Sequence, residues 1–302
     1  MLLNISPYLI NMPSIYVSSR SNPFKLIPKM KLGNMPKDGG NFLFTDKEKI
    51  VFLEKEPKAK KFIKPFINAK EYLYGQKKWV LWLKDIDPTE YSKLPLVMER
   101  IQKVKEFRAK SVAASTRSYH YHHLFKQIMQ PSSNYLLIPS ITSENRDYIP
   151  MSFFTQNTIV GNKCHAIPGA NIFHFGILQS KMHMVWVKVV CSTMGTSYNY
   201  SNEIVYNNFP WPKDISEEHK QKIEAAAKKV LDARSTWPNA TLAHLYNPLT
   251  MPENLLKAHH DLDTVVERAY REEPFTSDMD RVKFLFTLYQ QYIEEEEFPL
   301  AA

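Results

Sequence analysis

Glycine is scarce in this chain, and the scarcity limits what it can fold into more than any other feature. Only 8 of the 302 residues are glycine, against about 21 at an average usage near 7%. No Gly-x-Gly occurs anywhere. The dinucleotide fingerprint and the P-loop both need closely spaced glycines so that backbone can approach a phosphate, and neither is present. The chain is thus not expected to carry a nucleotide pocket of its own.

The remaining composition is that of a folded protein. With 44% hydrophobic and 23% charged residues, there is apolar material for one or two cores. No run approaches the roughly 18 apolar residues that cross a bilayer, and Met1 to Val17 lacks the basic start and small-residue cleavage site of a signal peptide. We therefore expect a soluble, cytoplasmic chain with no membrane partner. Cys164 and Cys191 are too few for a disulfide framework or a four-ligand zinc site, and read as core thiols.

The net charge of +8 conceals a split. Residues 1–212 hold 28 Lys and Arg against 14 Asp and Glu, a balance of +14, which leaves −6 for the last 90 residues. A basic surface attracts nucleic acid, an acidic membrane or an acidic partner for the same Coulombic reason. Charge alone does not choose among them.

Periodicity predicts an α+β chain: a mixed sheet-and-helix domain over 1–212, then a small helical domain over 213–302. Short apolar runs at Trp79 to Leu83, Tyr135 to Ile138 and Thr158 to Val160 read as strands. Pro95 opens a basic amphipathic helix to about Ser115, with Val97, Ile101, Val104 and Phe107 inward and Arg100, Lys103, Lys105 and Lys110 toward solvent. An apolar helix is predicted from Ile177 to about Thr193. Past the Pro210 and Pro212 pair, three helices are predicted. The first is capped by Ser216 with Ile223, Ala226, Ala227, Val230 and Leu231 on one face. The second follows Pro252 with Leu255, Leu262, Val266 and Ala269, and the third follows Ser277 with Val282, Leu285, Phe286, Tyr289 and Ile293. Glu294 to Glu297 reads as a solvated acidic tail.

Several constellations resemble chemistry and fall short of it. Asn207-Asn-Phe-Pro-Trp211 is similar to the Asn-Pro-Pro-aromatic loop of amino methyltransferases, but no Pro-Pro pair exists in the chain, so a turn is the better reading. Asp46, Glu56 and Lys58 loosely match the acid-acid-lysine metal site of nucleases, with a solvated surface as the plainer account. His120, His122 and His123 have no carboxylate or cysteine at ligand spacing and read as a partly exposed loop. His174 and His183 sit among aromatic and Met side chains and read as core histidines.

The segment Pro139 to Pro150 differs in kind, being a polar block between two strand-like runs. Arg146 can donate two hydrogen bonds to guanine O6 and N7, Glu144 can accept from cytosine N4, and Asn145 can pair with adenine N6 and N7. The plainer alternative is a solvated loop with an internal Glu-Arg pair.

Longer motifs carry a resemblance. Tyr135-Leu-Leu-Ile-Pro139, Ser143-Glu-Asn-Arg-Asp-Tyr-Ile-Pro150, Phe173-His-Phe-Gly-Ile-Leu178, Lys181-Met-His-Met184 and Ile204-Val-Tyr-Asn-Asn-Phe-Pro-Trp-Pro212 together resemble the target-recognition domain of MmeI-like type IIL restriction-modification enzymes. Pro28-Lys-Met30 and Met35-Pro-Lys-Asp-Gly-Gly40 are similar to the same family. Leu245-Tyr-Asn-Pro-Leu-Thr-Met-Pro252 and Tyr270-Arg-Glu-Glu-Pro-Phe275 resemble its C-terminal helical domain.

The resemblance implies the specificity portion of a restriction-modification DNA adenine-N6 methyltransferase. It also implies a separate methyltransferase domain, in cis or in trans, that uses S-adenosylmethionine. This chain has neither the cofactor motif nor the catalytic loop, so it is expected to bind no cofactor and to be inactive alone. Its partner would be double-stranded DNA. Glu144, Asn145 and Arg146 would read base edges, with contacts to other bases around Ser115 to Ser118, while Lys103, Lys110 and Arg117 would hold phosphates. The rival from another class is a protein-interaction module docking its acidic helical domain on a basic partner. A residual nuclease using Asp46, Glu56 and Lys58 is a third possibility.

Overall fold

A computed structural model of the chain describes residues 15–24 and 27–297. It divides into two compact units. The first comprises residues 1–30, 136–153 and 167–302, and the second residues 31–135 and 154–166. This partition differs from the sequence division at 212/213, because the chain passes between units four times. The positive charge also follows the units: the second holds 22 Lys and Arg against 11 Asp and Glu, a balance of +11.

The second unit is built on a small mixed sheet. Strand Ile63–Ile67 pairs antiparallel with Trp79–Leu81 and parallel with Ile159–Val160, and Leu43–Phe44 adds to the far side of Trp79–Leu81. Sequence periodicity misses Ile63–Ile67 because Pro65 interrupts it; in the sheet, Pro65 stands opposite Trp79. Helix Asp46–Lys55 starts at a capping box, with Thr45 accepting from the Glu48 N–H while the Glu48 carboxylate accepts from the Thr45 N–H. Helix Pro95–Ala109 is shorter than predicted. Val97 and Val104 enter a core that includes Phe42, Phe44, Phe62 and Val80.

One arginine of that helix corrects the amphipathic reading, and a second, on which the reading is silent, is buried. Arg100 is not turned to solvent: its guanidinium donates to the carbonyls of Asn41 and Leu43 and lies 3.8 Å from the Phe44 ring centroid. Arg108 is fully buried and donates to four carbonyls, those of Pro36, Lys37, Tyr121 and Leu124. A helical stripe counts arginine as polar, whereas a guanidinium can enter a core where backbone acceptors surround it. Gly33 sits where this unit's backbone closes on itself. A Cβ there would lie 2.2 Å from the Gly161 carbonyl oxygen.

The first unit holds most of the helix. The single helix predicted over 177–193 is two helices, Ile172–Leu178 and Lys181–Val190, because Ser180 caps a fresh start by accepting from the His183 N–H. Beyond Cys191 the chain turns to strand: Ser192–Thr193 and Ser197–Asn199 form a hairpin, and Ser197–Asn199 pairs in turn with Ile141–Ser143.

The three helices predicted after Pro212 are Glu217–Ser235, Glu253–Tyr270 and Asp278–Glu297. They share one core with Ile172–Leu178 and Lys181–Val190. Gly176 allows helix Ile172–Leu178 to lie close against helix Glu217–Ser235, since a Cβ there would meet Ile223 Cγ2 at 2.8 Å. The acidic run is the last turn of a helix and not a tail: Glu295 pairs with Lys213, and Glu296 takes two hydrogen bonds from Arg20 at 2.7 and 2.8 Å. Cys164 and Cys191 are free, buried thiols, and burial pushes Cys191 up to about 12.

Candidate nucleic-acid interface

The residues singled out from sequence fall into two groups, one in each unit. Glu144, Asn145 and Arg146 form the turn that leaves strand Ile141–Ser143 in the first unit. The turn is held through its backbone. Glu144 N–H donates to the Thr196 carbonyl at 3.1 Å, Asn145 N–H to Ser143 Oγ at 3.3 Å, and Arg146 N–H to the Ser143 carbonyl at 3.2 Å. Glu144 and Asn145 are exposed and Arg146 is half-buried, with Nη1 donating to Thr142 Oγ1 at 3.2 Å. The bond to Thr196 and the pairing of Ser143 with Ser197 bring Glu144 to the hairpin, where the Tyr198 phenol is raised by burial first and by the Glu144 charge second.

The turn thus stands beside the tip of the Ser192–Asn199 hairpin, where Met194, Gly195 and Thr196 are all exposed. Sequence reasoning missed this hairpin by extending the preceding helix into it. The available signal was Gly195 between two β-branched or polar pairs, a hairpin punctuation. At the other end of the turn, Asp147 pairs with Lys188 at 3.8 Å.

Lys103, Lys110 and Arg117 belong to the second unit. Lys103 is exposed and pairs with Glu99 one turn earlier at 2.6 Å. Lys110, also exposed, caps the end of helix Pro95–Ala109. Seven residues separate the two lysines, so they share one helix face about 10 Å apart. Arg117 closes the short helix Ala114–Arg117, and its Nη1 donates to the carbonyls of Ser111 and Val112 at 2.7 and 2.8 Å. That bond pattern makes Arg117 a staple for the loop before it. The loop lifts Val112 to 98% exposure, an apolar side chain presented in a basic segment that sequence reasoning passed over.

A groove between helices Asp46–Lys55 and Pro95–Ala109 adds Lys47 and Lys55, which sequence reasoning missed. Lys47, Lys55, Arg100 and Lys103 line it together with Glu48 and Glu99.

The other constellations take structural roles. Asp46 accepts from Trp79 Nε1, while Glu56 is buried and accepts from the Leu96 N–H at 2.6 Å. The two acids bracket helix Asp46–Lys55, about 15 Å apart by its rise, so they do not meet at a metal. Among the described residues no group of three or more His, Cys, Asp or Glu is placed to hold a metal ion. His122 and His123 are half-buried in a loop, and His123 stacks on Tyr91. His183 is buried between the Leu178 carbonyl and the Tyr200 hydroxyl, and burial pushes it down to about 4.

The methyltransferase-like loop is similarly occupied. Asn207 donates to the Arg20 carbonyl, and Asn208 donates to those of Ser18, Glu203 and Ile204. Both side chains are buried, so neither is free to hold a substrate amine. These residues do not fit the amine-holding role of that loop. Among the described residues no helix is long and apolar enough to cross a membrane.

Comparison with known proteins agrees over nearly all of the chain. A family model of the MmeI target recognition domain matches residues 11–213, and one of the MmeI C-terminal domain matches residues 215–296. DNA methyltransferase A of Bacillus subtilis (strain 168) is 41% identical over 292 residues, which is 96% of this chain and 33% of that protein. The solved structure of the type IIL restriction-modification enzyme MmeI in complex with DNA superposes with a TM-score of 0.92 at 42% identity. The match covers 96% of this chain and 39% of that one. The chain therefore spans about a third of the curated relative it matches.

Proposed function

The chain belongs to the MmeI family, as a target recognition domain followed by a C-terminal domain, and from that premise we propose that it reads double-stranded DNA for an adenine-N6 methyltransferase of a restriction-modification system. The observation that carries the reading is the Glu144-Asn145-Arg146 turn. Its backbone is tied down at three N–H groups while Glu144 and Asn145 point outward. Rigid presentation of one carboxylate, one amide and one guanidinium suits recognition of base edges of both hydrogen-bonding signs.

Phosphate contacts come from the basic unit, with Lys110 the least committed elsewhere of Lys103, Lys110 and Arg117. Lys103 must leave Glu99 to contribute, and Arg117 acts chiefly by shaping the Ser111 to Ser118 loop, while the groove lysines Lys47 and Lys55 widen the cationic surface. Adenine flipping, S-adenosylmethionine binding and methyl transfer belong to a methyltransferase domain acting in cis or in trans. The division at 212/213 is kept as a functional one: recognition upstream, helical support downstream. A chain that works on chromosomal DNA is cytoplasmic in a bacterium.

Methylation-site profiling of the full-length enzyme carrying Arg146→Ala tests this. The preference at one base pair should relax by about 1–3 kcal/mol. An unchanged recognition sequence removes Arg146 from the reader role. Binding that is insensitive to salt would favour the protein-interaction reading instead.

A further inference from the structure

The segment leaving the reader turn is gripped by a buried polar network, and the helices of residues 213–302 supply most of it. Tyr148, two residues after Arg146, stacks on His259 of helix Glu253–Tyr270 at 4.0 Å between ring centroids. Its hydroxyl donates to Asp263 Oδ2 at 2.6 Å. The other oxygen of Asp263 accepts from the Lys181 N–H, also at 2.6 Å. The Ile149 carbonyl accepts from Gln179 Nε2, and the Met151 carbonyl from Arg234 Nη1. Arg234 lies on helix Glu217–Ser235 and is itself held by Gln179 Oε1 at 2.9 Å and the Tyr246 hydroxyl at 2.7 Å. Tyr246 continues the chain of bonds to His259 Nε2 at 3.0 Å.

Such a network is a poor way to gain stability alone. A carboxylate, a guanidinium, an imidazole and two phenols all lose hydration in one core, and apolar groups of the same volume would serve stability as well or better. What the network supplies is geometry. The Tyr148 hydroxyl and the carbonyls of Ile149 and Met151 are each held by a side chain from another element, so the 148–151 segment is fixed at three successive points. The opposite stem of the turn, Ile141–Ser143, is set by strand pairing with Ser197–Asn199.

We propose that Tyr148 and Asp263 are positioning residues for base recognition: the C-terminal helices, through the Tyr148–Asp263 bond, set the height and register of the Glu144–Arg146 turn. This rests on the reading of Arg146 given above. Asp263 accepts two donors at two oxygens, so asparagine at this position leaves either Tyr148 or the Lys181 N–H without an acceptor. Phenylalanine at 148 keeps the ring stack and deletes only the hydroxyl. A turn released from one stem samples positions in which a bidentate base contact no longer forms.

The test uses the full-length methyltransferase with site profiling and thermal melts, for Tyr148→Phe, Asp263→Asn and Arg146→Ala, singly and as Tyr148→Phe with Arg146→Ala. Tyr148→Phe and Asp263→Asn should each relax preference about tenfold at the base pair that Arg146→Ala relaxes, the lower part of what one bidentate contact is worth, with other positions unchanged. In the Arg146→Ala background, Tyr148→Phe should relax nothing further. Wild-type preference in Tyr148→Phe and Asp263→Asn, alongside relaxation in Arg146→Ala, overturns the positioning role and leaves the reader role standing. Uniform loss at every base pair marks the network as structural only and also overturns it. An unchanged site in Arg146→Ala fails the reader itself, and the positioning role with it. If Asp263→Asn fails to fold, Tyr148→Phe alone decides.

Discussion

Arg108 joins stability to function in the basic unit, and replacing it by methionine gives a worked expectation. The guanidinium is fully buried and, among the described residues, pairs with no carboxylate. It donates instead to the carbonyls of Lys37 and Pro36 at 2.9 Å each, Tyr121 at 3.1 Å and Leu124 at 2.7 Å. Methionine matches the length and supplies no donor. Lys37 and Tyr121 are exposed residues whose carbonyls can return to water, whereas Pro36 and Leu124 are half-buried. The Pro36 carbonyl keeps a hydrogen bond from the Lys126 N–H at 3.2 Å, so the half-buried Leu124 carbonyl is the acceptor left unmade, at a cost of roughly 1–3 kcal/mol. Relief of the desolvated charge, which burial already disfavours, offsets part of this. The net is a loss of about 1.5 kcal/mol, or about 6 °C in Tm for a unit of this size.

The assay is calorimetry of Arg108→Met beside Arg108→Lys. Lysine keeps the charge but gathers its three donors at one point, so it cannot reach four separated carbonyls and should fall between the other two. Because Arg108 ties the end of the lysine-bearing helix to residues 121–124, DNA affinity should drop for all sequences alike. A Tm for the methionine variant within about 3 °C of wild type would refute the reasoning, since the four bonds would then contribute no net stability.

Three further outcomes are expected. Gly33→Ala drives a Cβ into the Gly161 carbonyl oxygen, while Gly75→Ala at φ 64° meets nothing within 4 Å; the first should cost at least about 3 kcal/mol and the second about 1, and equal melting shifts would discredit the close approach. His165, His174 and His183 are all pushed down to about 4 by burial. Folded-state values below the free value of 6.5 mean stability is complete above that pH and is lost as pH falls toward 4. Burial raises Asp263 to about 7, so it acts oppositely, adding stability as pH falls from 7 toward 3.8; Asp263→Asn should therefore steepen the acid loss, and an unaltered Tm-against-pH profile would contradict this. Lys110→Ala should lower the slope of log affinity against log salt by about 1, and Glu99→Gln, which frees Lys103, should raise affinity; identical slopes for Lys110→Ala and wild type would remove Lys110 from the phosphates.

What could be read without coordinates was whatever is encoded within one or two turns of chain. Ser216 and the Ile223, Ala227 and Val230 stripe specify their helix locally, and Glu217–Ser235 is the result. The Thr45-to-Glu48 capping box is equally local, its two partners lying three residues apart. The polar turn at Glu144 to Arg146 was legible as a turn for the same reason: flanking apolar runs bound it, and short-range chemistry decides where chain reverses.

Whatever depends on partners far along the chain was settled only in three dimensions. Arg100 reads as solvent-facing until the carbonyls of Asn41 and Leu43 accept its guanidinium, and nothing local marks Arg108 for burial among four carbonyls. Ile63–Ile67 becomes a strand against its proline because two neighbours supply the pairing. The reader turn takes its backbone hold from Thr196 and its downstream anchor from Asp263, residues 52 and 115 positions away from their partners. Amino-acid order by itself determined the local elements, the charge and the family, because propensity, capping and composition act over a few residues. The tertiary structure alone decided which polar groups are buried together, because a buried charge is tolerable only where distant backbone and side chains converge to satisfy it.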